Sequence, residues 1–150
     1  MFNEITGELL RCGNRVRFRA VGASMQPTIE DGELITVAPV EPAAVKRGDI
    51  LLYQGERGLI AHRLVGLRRS AKGEDVRYLL QGDASVDRDD PVQPGQVLGR
   101  VVAVRRGGRS RALDTRTANI LRLVRQGAVL VRSAIGLIHP RTLPSRSYHA

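Results

Sequence analysis

A serine hydroxyl becomes a nucleophile only with a base in hydrogen-bond reach, about 2.6–3.2 Å away, so few residues of this chain can do covalent chemistry. In the segment GASMQPTIEDGE, Gly22–Glu33, a strand-like run leads into Ser24, and Pro27 and an Asp31-Gly32 turn follow. That order exposes the Ser24 hydroxyl where the chain leaves a sheet. Of the three histidines, His139 and His149 lie in or beside a C-terminal tail expected to be loose, which leaves His62 in GLIAHRLVGL. Judged alone, His62 is more often a satisfied core or surface histidine; the Ser24 turn makes it a candidate base. A third cluster, QGDASVDRDDP, holds Asp83, Asp87, Asp89 and Asp90. A carboxylate there could fix the imidazole tautomer and stabilise the imidazolium. Its other uses are a solvated acidic loop or a calcium loop, and the Gly and closing Glu that a calcium loop needs are missing.

Other chemistries lose their support. The sequence has no HExxH, no phosphate-cradling GxxxxGK[ST] and no zinc-ligand set, so no metal or cofactor is expected. The single cysteine, Cys12, can form neither an intrachain disulfide nor a CxxC pair, which suits a reducing compartment.

The elements that must position these groups read as β. From Asn14 to Ala20, Val16, Phe18 and Ala20 alternate with Arg15, Arg17 and Arg19, the period of a half-buried strand. Further runs at Leu34–Val37, Ile50–Tyr53, Leu59–Leu67, Val76–Leu80 and Val97–Val104 are separated by Gly, Asp and Pro turns. There is no βαβ alternation, so the sequence predicts a mainly antiparallel β domain over residues 1–108. In the fourth run, Leu59, Ala61, Arg63 and Val65 fall on one face and Ile60, His62 and Leu64 on the other. After Gly107-Gly108 the apolar spacing becomes helical, and residues 109–150 are expected to form a basic amphipathic helix, about Thr117 to Ile138, and a tail. The helix either caps the sheet or rests on an anionic membrane surface.

At 150 residues the chain suits one domain, or one domain with a tail, and 42% hydrophobic with 26% charged residues is an ordinary globular mixture. Aromatics are only 3%, so Val, Leu, Ile and Ala must build the core and a base-stacking row is excluded, which disfavours nucleic acid as a partner. The net charge of +9 favours anionic partners without saying anything about fold. No stretch approaches the roughly 20 apolar residues of a spanning helix, and the N-terminus lacks a secretory signal pattern. A cytoplasmic chain, peripheral to a membrane at most, is the expectation.

In one consistent order the segments SMQPTIEDGE, RGDILLY, IAHRLV, LLQGDASVDRDD and VLGRVVAV resemble the conserved boxes of the signal peptidase I and LexA-like serine peptidases, over roughly Arg17 to Arg105. The histidine at position 62 is similar to the base of the archaeal and endoplasmic-reticulum signal peptidases, where bacterial relatives carry lysine. The resemblance implies an antiparallel β fold, Ser24 as nucleophile, His62 as general base, and Asp83 and Asp89 as the implicated aspartates; Asp87 or Asp90 takes the place of Asp89 if the match slips. It also implies Met25 beside a substrate cleft, the Ser24 amide as an oxyanion donor, and Gly22 where some relatives carry a hydroxyl side chain. A histidine starts near 6.5, whereas a lysine must fall from about 10.4 before it can act as a base. The substrate implied is an extended peptide or precursor cut after a small residue. Two other readings remain: a LexA-like self-cleaving regulator, for which Cys12-Gly13 is the tempting bond, and a peptide- or nucleic-acid-binding module of the same fold.

Overall fold

The computed structural model describes residues 1–56, 58–70 and 75–113, which fall within a compact unit spanning Met1–Ala118. The helix expected at about 117–138 and the tail beyond it lie outside the described residues. Among the described residues, no helix is long and apolar enough to cross a membrane.

The described residues form one antiparallel sheet of seven strands and one α-helix at the N-terminus, α1 (Phe2–Arg11). The strands are β1 (Val16–Arg19), β2 (Leu34–Ala38), β3 (Ile50–Gly55), β4 (Gly58–Arg69), β5 (Val76–Gln81), β6 (Val97–Arg106) and β7 (Arg109–Ala112). Their order is β1-β2-β6-β3-β4-β5, with β7 also on β6. Six of the seven follow runs read from the sequence. The long β6 makes this order possible: β2 lies along one edge, while β3 and β7 share the other, at Val97–Arg100 and Ala103–Arg106. A bulge between Thr36 and Val37 of β2 bends the sheet there. The two chains come so close that a Cβ on Gly99 would sit 2.6 Å from the Ala38 carbonyl oxygen. Glycine is the side chain this contact allows.

Period-2 alternation supplies two cores. Ile50 and Leu52 of β3 join Leu10, Val16, Met25, Ile29, Ile35, Val37, Val101 and Val104 on one side. Leu51 and Tyr53 join Leu64, Tyr78, Leu80 and Val92 on the other. β3 is thus buried on both faces, and each fully buried Val, Leu or Ile contributes roughly 1.5–3 kcal/mol of transfer free energy. β1 is buried on one face only, with Val16 inward and Arg17 and Arg19 exposed, as its alternation predicts.

Two elements were not anticipated. In α1, the buried Thr6, Gly7 and Leu10 set one face against the sheet, and Gly13, at φ +84°, ends the helix with its amide donating to the Leu10 carbonyl. β7 is the second: its RSRA sequence is exposed at all four positions, so it carries no hydrophobic period to read. It continues the sheet past the boundary expected at residue 108, because the Gly107-Gly108 turn, with both φ positive, folds it onto β6.

The β6 end of this hairpin also anchors the turn that precedes β2. Arg106 binds the Glu33 carboxylate, pairs with Glu30 at 3.1 Å and donates to the Pro27 carbonyl at 3.2 Å. The Arg106 hydrogen bond holds the Glu33 carboxyl below its ordinary range, against the opposing effect of burial. A depressed carboxyl stabilises the fold above its unfolded pKa, and that contribution disappears as pH falls through the folded value. Arg106→Gln is therefore expected to be less stable than the parent at pH 7, with the deficit shrinking by pH 3. Urea unfolding at the two pH values measures this; a deficit that is constant or grows in acid contradicts it.

Candidate active site

The three groups singled out from the sequence come from separate loops and strands, and the fold brings them into one chain of hydrogen bonds. Ser24 leads a loop between β1 and β2 whose base is pinned by two bonds: the Ala20 amide donates to the Glu33 carbonyl and the Gly32 amide to the Ala20 carbonyl, each at 2.8 Å. Gly22 is a turn device within this loop. Its φ of +100° is one that L side chains rarely adopt, and its amide donates to Asp31 Oδ1 at 2.8 Å.

His62 lies on β4 opposite Leu51 of β3, on the face of the second core, and it is only 9% exposed. Its Nε2 is 2.9 Å from Ser24 Oγ, and its Nδ1 is 2.6 Å from Asp89 Oδ2. A carboxylate only accepts, so Nδ1 must carry the proton and Nε2 presents its lone pair to the serine hydroxyl. Ser24 is exposed at the surface, and its backbone N–H has no protein acceptor among the described residues.

The local path of the chain selects Asp89 from its acidic neighbours. After β5 the chain turns back along that edge strand. The Asp89 amide donates to the Leu80 carbonyl at 3.0 Å, and Tyr78 and Val92 exchange backbone bonds at 2.8 and 3.0 Å. This register places the Asp89 carboxylate against the imidazole, partly shielded at 24% exposure, while Asp87 and Asp90 stay exposed.

Asp83 does not join the chain. Both its oxygens are taken by Arg63, with Nε donating to Oδ1 at 2.7 Å and Nη2 to Oδ2 at 2.6 Å, and the Thr28 hydroxyl donates to Oδ2 at 2.5 Å. Arg63 also donates to the Gly48 carbonyl at 2.8 Å. Adjacent residues of a strand point to opposite faces, so His62 and Arg63 cannot share a carboxylate cluster. Of the two aspartates the resemblance implicates, Asp83 is therefore not a partner of His62: it ties the Ser24 loop, through Thr28, to β4.

Met25, which the resemblance sets beside a substrate cleft, has its side chain in the interior. It is 5% exposed and belongs to the first core with Leu10, Val16 and Ile29. Behind Ser24 the chain turns inward, and the Ile29 amide donates to the Met25 carbonyl, so Met25 anchors the loop from below.

Two contributors were missed. Extending the β4–β5 register, in which Arg63 faces Gln81, sets Gly82 beside His62. A Cβ on Gly82 would fall 2.6 Å from the Ser24 carbonyl oxygen and 3.1 Å from Ser24 Cβ. The Ala84 amide donates to that same Ser24 carbonyl at 2.8 Å. In the sequence Gly82 is one residue of the QGDASVDRDDP run, and nothing in its spacing reveals this close approach. Tyr53 is 4% exposed, and burial followed by the nearby Asp89 charge pushes the ionisation of its phenol well above the ordinary range.

Arg63 is 4% exposed and the Asp83 side chain 14%, so this pair is close to fully desolvated. Such a pair adds little net stability over an apolar replacement of both partners, but removing one partner strands a buried charge at a cost of about 3–5 kcal/mol. Arg63→Met should destabilise the protein by about that amount in denaturant unfolding. Loss of under about 1 kcal/mol would mean that Asp83 finds solvent or another donor.

No protein-family model matches this chain, and no curated protein matches it.

Proposed function

We propose that the protein is a serine endopeptidase in which Ser24 is the nucleophile, His62 the general base and Asp89 the carboxylate that orients the imidazole. The observation that carries this reading is the unbroken chain of 2.9 Å and 2.6 Å contacts from Ser24 Oγ through His62 to Asp89. A buried imidazole satisfied by one hydroxyl and one carboxylate is compatible with a purely structural role. An exposed serine at its far end, with a free backbone N–H, is what hydrolysis requires.

In the proposed reaction, Ser24 Oγ attacks the carbonyl carbon of a peptide bond as its proton passes to His62 Nε2. Negative charge develops on the carbonyl oxygen, and the Ser24 amide is one donor available to it. The C–N bond then breaks as Nε2 returns the proton to the departing amine, leaving an ester on Ser24. Water, deprotonated by the same nitrogen, attacks the ester; the acid product leaves and the serine regains its hydrogen. Asp89 remains a carboxylate throughout and holds Nδ1–H. By the resemblance in its ordered segments, the substrate is an extended peptide or precursor cut after a small residue, and such a peptide lies in a cleft much as an added strand does.

Self-cleavage at Cys12-Gly13 gains nothing from the geometry. The Cys12 and Gly13 amides are bonded to the Glu8 and Leu10 carbonyls in the turn that closes α1, which is not the extended form a peptidase takes.

The test is covalent labelling of the purified chain by a fluorophosphonate, followed by intact mass. The parent should gain one adduct, at a rate that falls on acidification as the imidazole takes up a proton. Ser24→Ala should gain none and His62→Ala almost none, while Asp89→Asn should slow labelling by on the order of 10³–10⁴. A parent that stays unmodified from pH 6 to pH 9, or an adduct that survives in Ser24→Ala, overturns the proposal.

A further inference from the structure

We infer that Gln81, the last residue of β5, is a positioning residue for Ser24: its side-chain amide closes the 82–86 turn against which the backbone of the nucleophile is held. This rests on the peptidase reading and names the residue that keeps the hydroxyl at its distance from the imidazole.

The pairing of β5 with β4 ends where Gln81 faces Arg63, and the chain must reverse there before it can run back along β5 as far as Asp89. Gln81 Nε2 donates to the Ser85 carbonyl and to the Val86 carbonyl, each at 2.9 Å. A primary amide has two N–H donors, and both are spent on this turn. Successive carbonyls of an extended chain point to opposite sides, so two of them converge on one nitrogen only where the chain curls. Within the curl the Ser85 amide donates to the Gly82 carbonyl at 3.1 Å. Ala84 and Val86 are exposed, so apolar packing does not close the turn in place of these bonds.

The turn so closed is the part of the protein that touches the nucleophile. Gly82 lies against the Ser24 backbone with no room for a Cβ, and the Ala84 amide donates to the Ser24 carbonyl at 2.8 Å. With that carbonyl fixed, only the χ1 torsion of Ser24 is left to set Oγ at 2.9 Å from His62 Nε2. Without the Gln81 donors the Ser85 and Val86 carbonyls face one side with no proton to share, and the turn opens and carries Ala84 off the Ser24 carbonyl. The later part of the same loop has its own anchor. The Asp89 amide donates to the Leu80 carbonyl at 3.0 Å, so the carboxylate stays on Nδ1 whatever the turn does. Asp83 takes the Thr28 hydroxyl further along the serine loop and leaves the Ser24 carbonyl to Ala84. Gln81 therefore governs the serine end of the hydrogen-bonded chain and not its aspartate end.

The experiment compares Gln81→Met, which keeps the length of the side chain and loses both donors, with Gln96→Met, which removes the bonds to Gln93 and Gln54 of an exposed glutamine in the turn before β6. Two readouts are taken: the rate of fluorophosphonate labelling, and the nitrogen and low-field proton NMR resonances of the His62 ring, with Ser24→Ala as the reference for an imidazole that has lost its hydroxyl. In Gln81→Met labelling should slow about 10–100-fold. The Nε2 resonance should move towards its Ser24→Ala position, while the Nδ1 proton stays where Asp89 holds it. Gln96→Met should match the parent in both readouts. An Nε2 resonance unmoved in folded Gln81→Met overturns the inference even if labelling slows. So does a displaced Nδ1 proton, because a general loosening of the loop would move both signals. If Gln81→Met does not fold, Gln81→Lys decides: its ammonium can still donate to both carbonyls, so labelling should stay close to the parent rate, and a large loss or a failure to fold overturns the inference. Absence of any adduct on the parent is a different result. It ends the peptidase reading, and the ring resonances then report only whether Gln81 holds the hydroxyl on the imidazole.

Discussion

The site depends on one close approach, that of the Ser24 backbone to Gly82. Ser24 arrives on a loop from the β1 side of the sheet, whereas His62 lies on β4, near the opposite edge. For the hydroxyl to come within 2.9 Å of Nε2, the position beside His62 must be vacant of side chain, and the chain there must offer an amide to hold the Ser24 carbonyl. Gly82 meets the first need and the Ala84 N–H the second. A methyl group at position 82 would stand 2.6 Å from a backbone oxygen, a distance that flexing of a side chain cannot relieve. Overpacking of this kind displaces backbone at a cost of typically 1–3 kcal/mol, and the part most free to move is the exposed loop carrying Ser24.

The pleat of β4 separates chemistry from support. His62 and Arg63 are consecutive, so one points to each face, and each meets a different aspartate from the loop after β5. On one face Asp89 orients an imidazole. On the other, Asp83 joins Arg63, Thr28 and the Gly48 carbonyl into a clamp that holds β4, the Ser24 loop and the turn before β3 together. The Arg63–Asp83 pair at its centre is largely buried and fully bonded, so the clamp resists motion of the serine loop relative to the strand that carries His62. The proposed reaction needs such a support, because small displacements of reacting groups cost large factors in rate.

How much of this was legible in the sequence follows from the range of each interaction. Alternation in Val16–Ala20 and in the run around His62 is a local property of one strand, and it read correctly to the level of which face each residue occupies. Ser24 and His62 could be paired in advance because the chain has only three histidines and two of them lie near its C-terminal end. What failed was everything set by register between distant strands. Asp83 and Asp89 look equivalent in a linear string of aspartates; only the bond from the Asp89 amide to Leu80 and the parity of β4 tell them apart. The burial of Met25 follows from the inward turn of the chain behind Ser24, which the linear sequence does not show. β7 has no apolar period, and α1 is a ten-residue helix with a glycine on its inner face, so neither announces itself strongly.

If position 62 carries the base, as proposed, the same geometry suits histidine and not lysine. A lysine acts as a base only when its surroundings disfavour the ammonium form, which requires an apolar pocket and no carboxylate nearby. At position 62 the carboxylate of Asp89 lies 2.6 Å from the ring, close enough to stabilise any cation placed there. An ammonium in that position would keep its proton and could accept none from Ser24. Histidine tolerates the same neighbour, because the carboxylate engages Nδ1 and leaves the lone pair of Nε2 directed at the hydroxyl. In the proposed reaction Asp89 and His62 are therefore a matched choice, and the same carboxylate beside a lysine would hold it in the charged form.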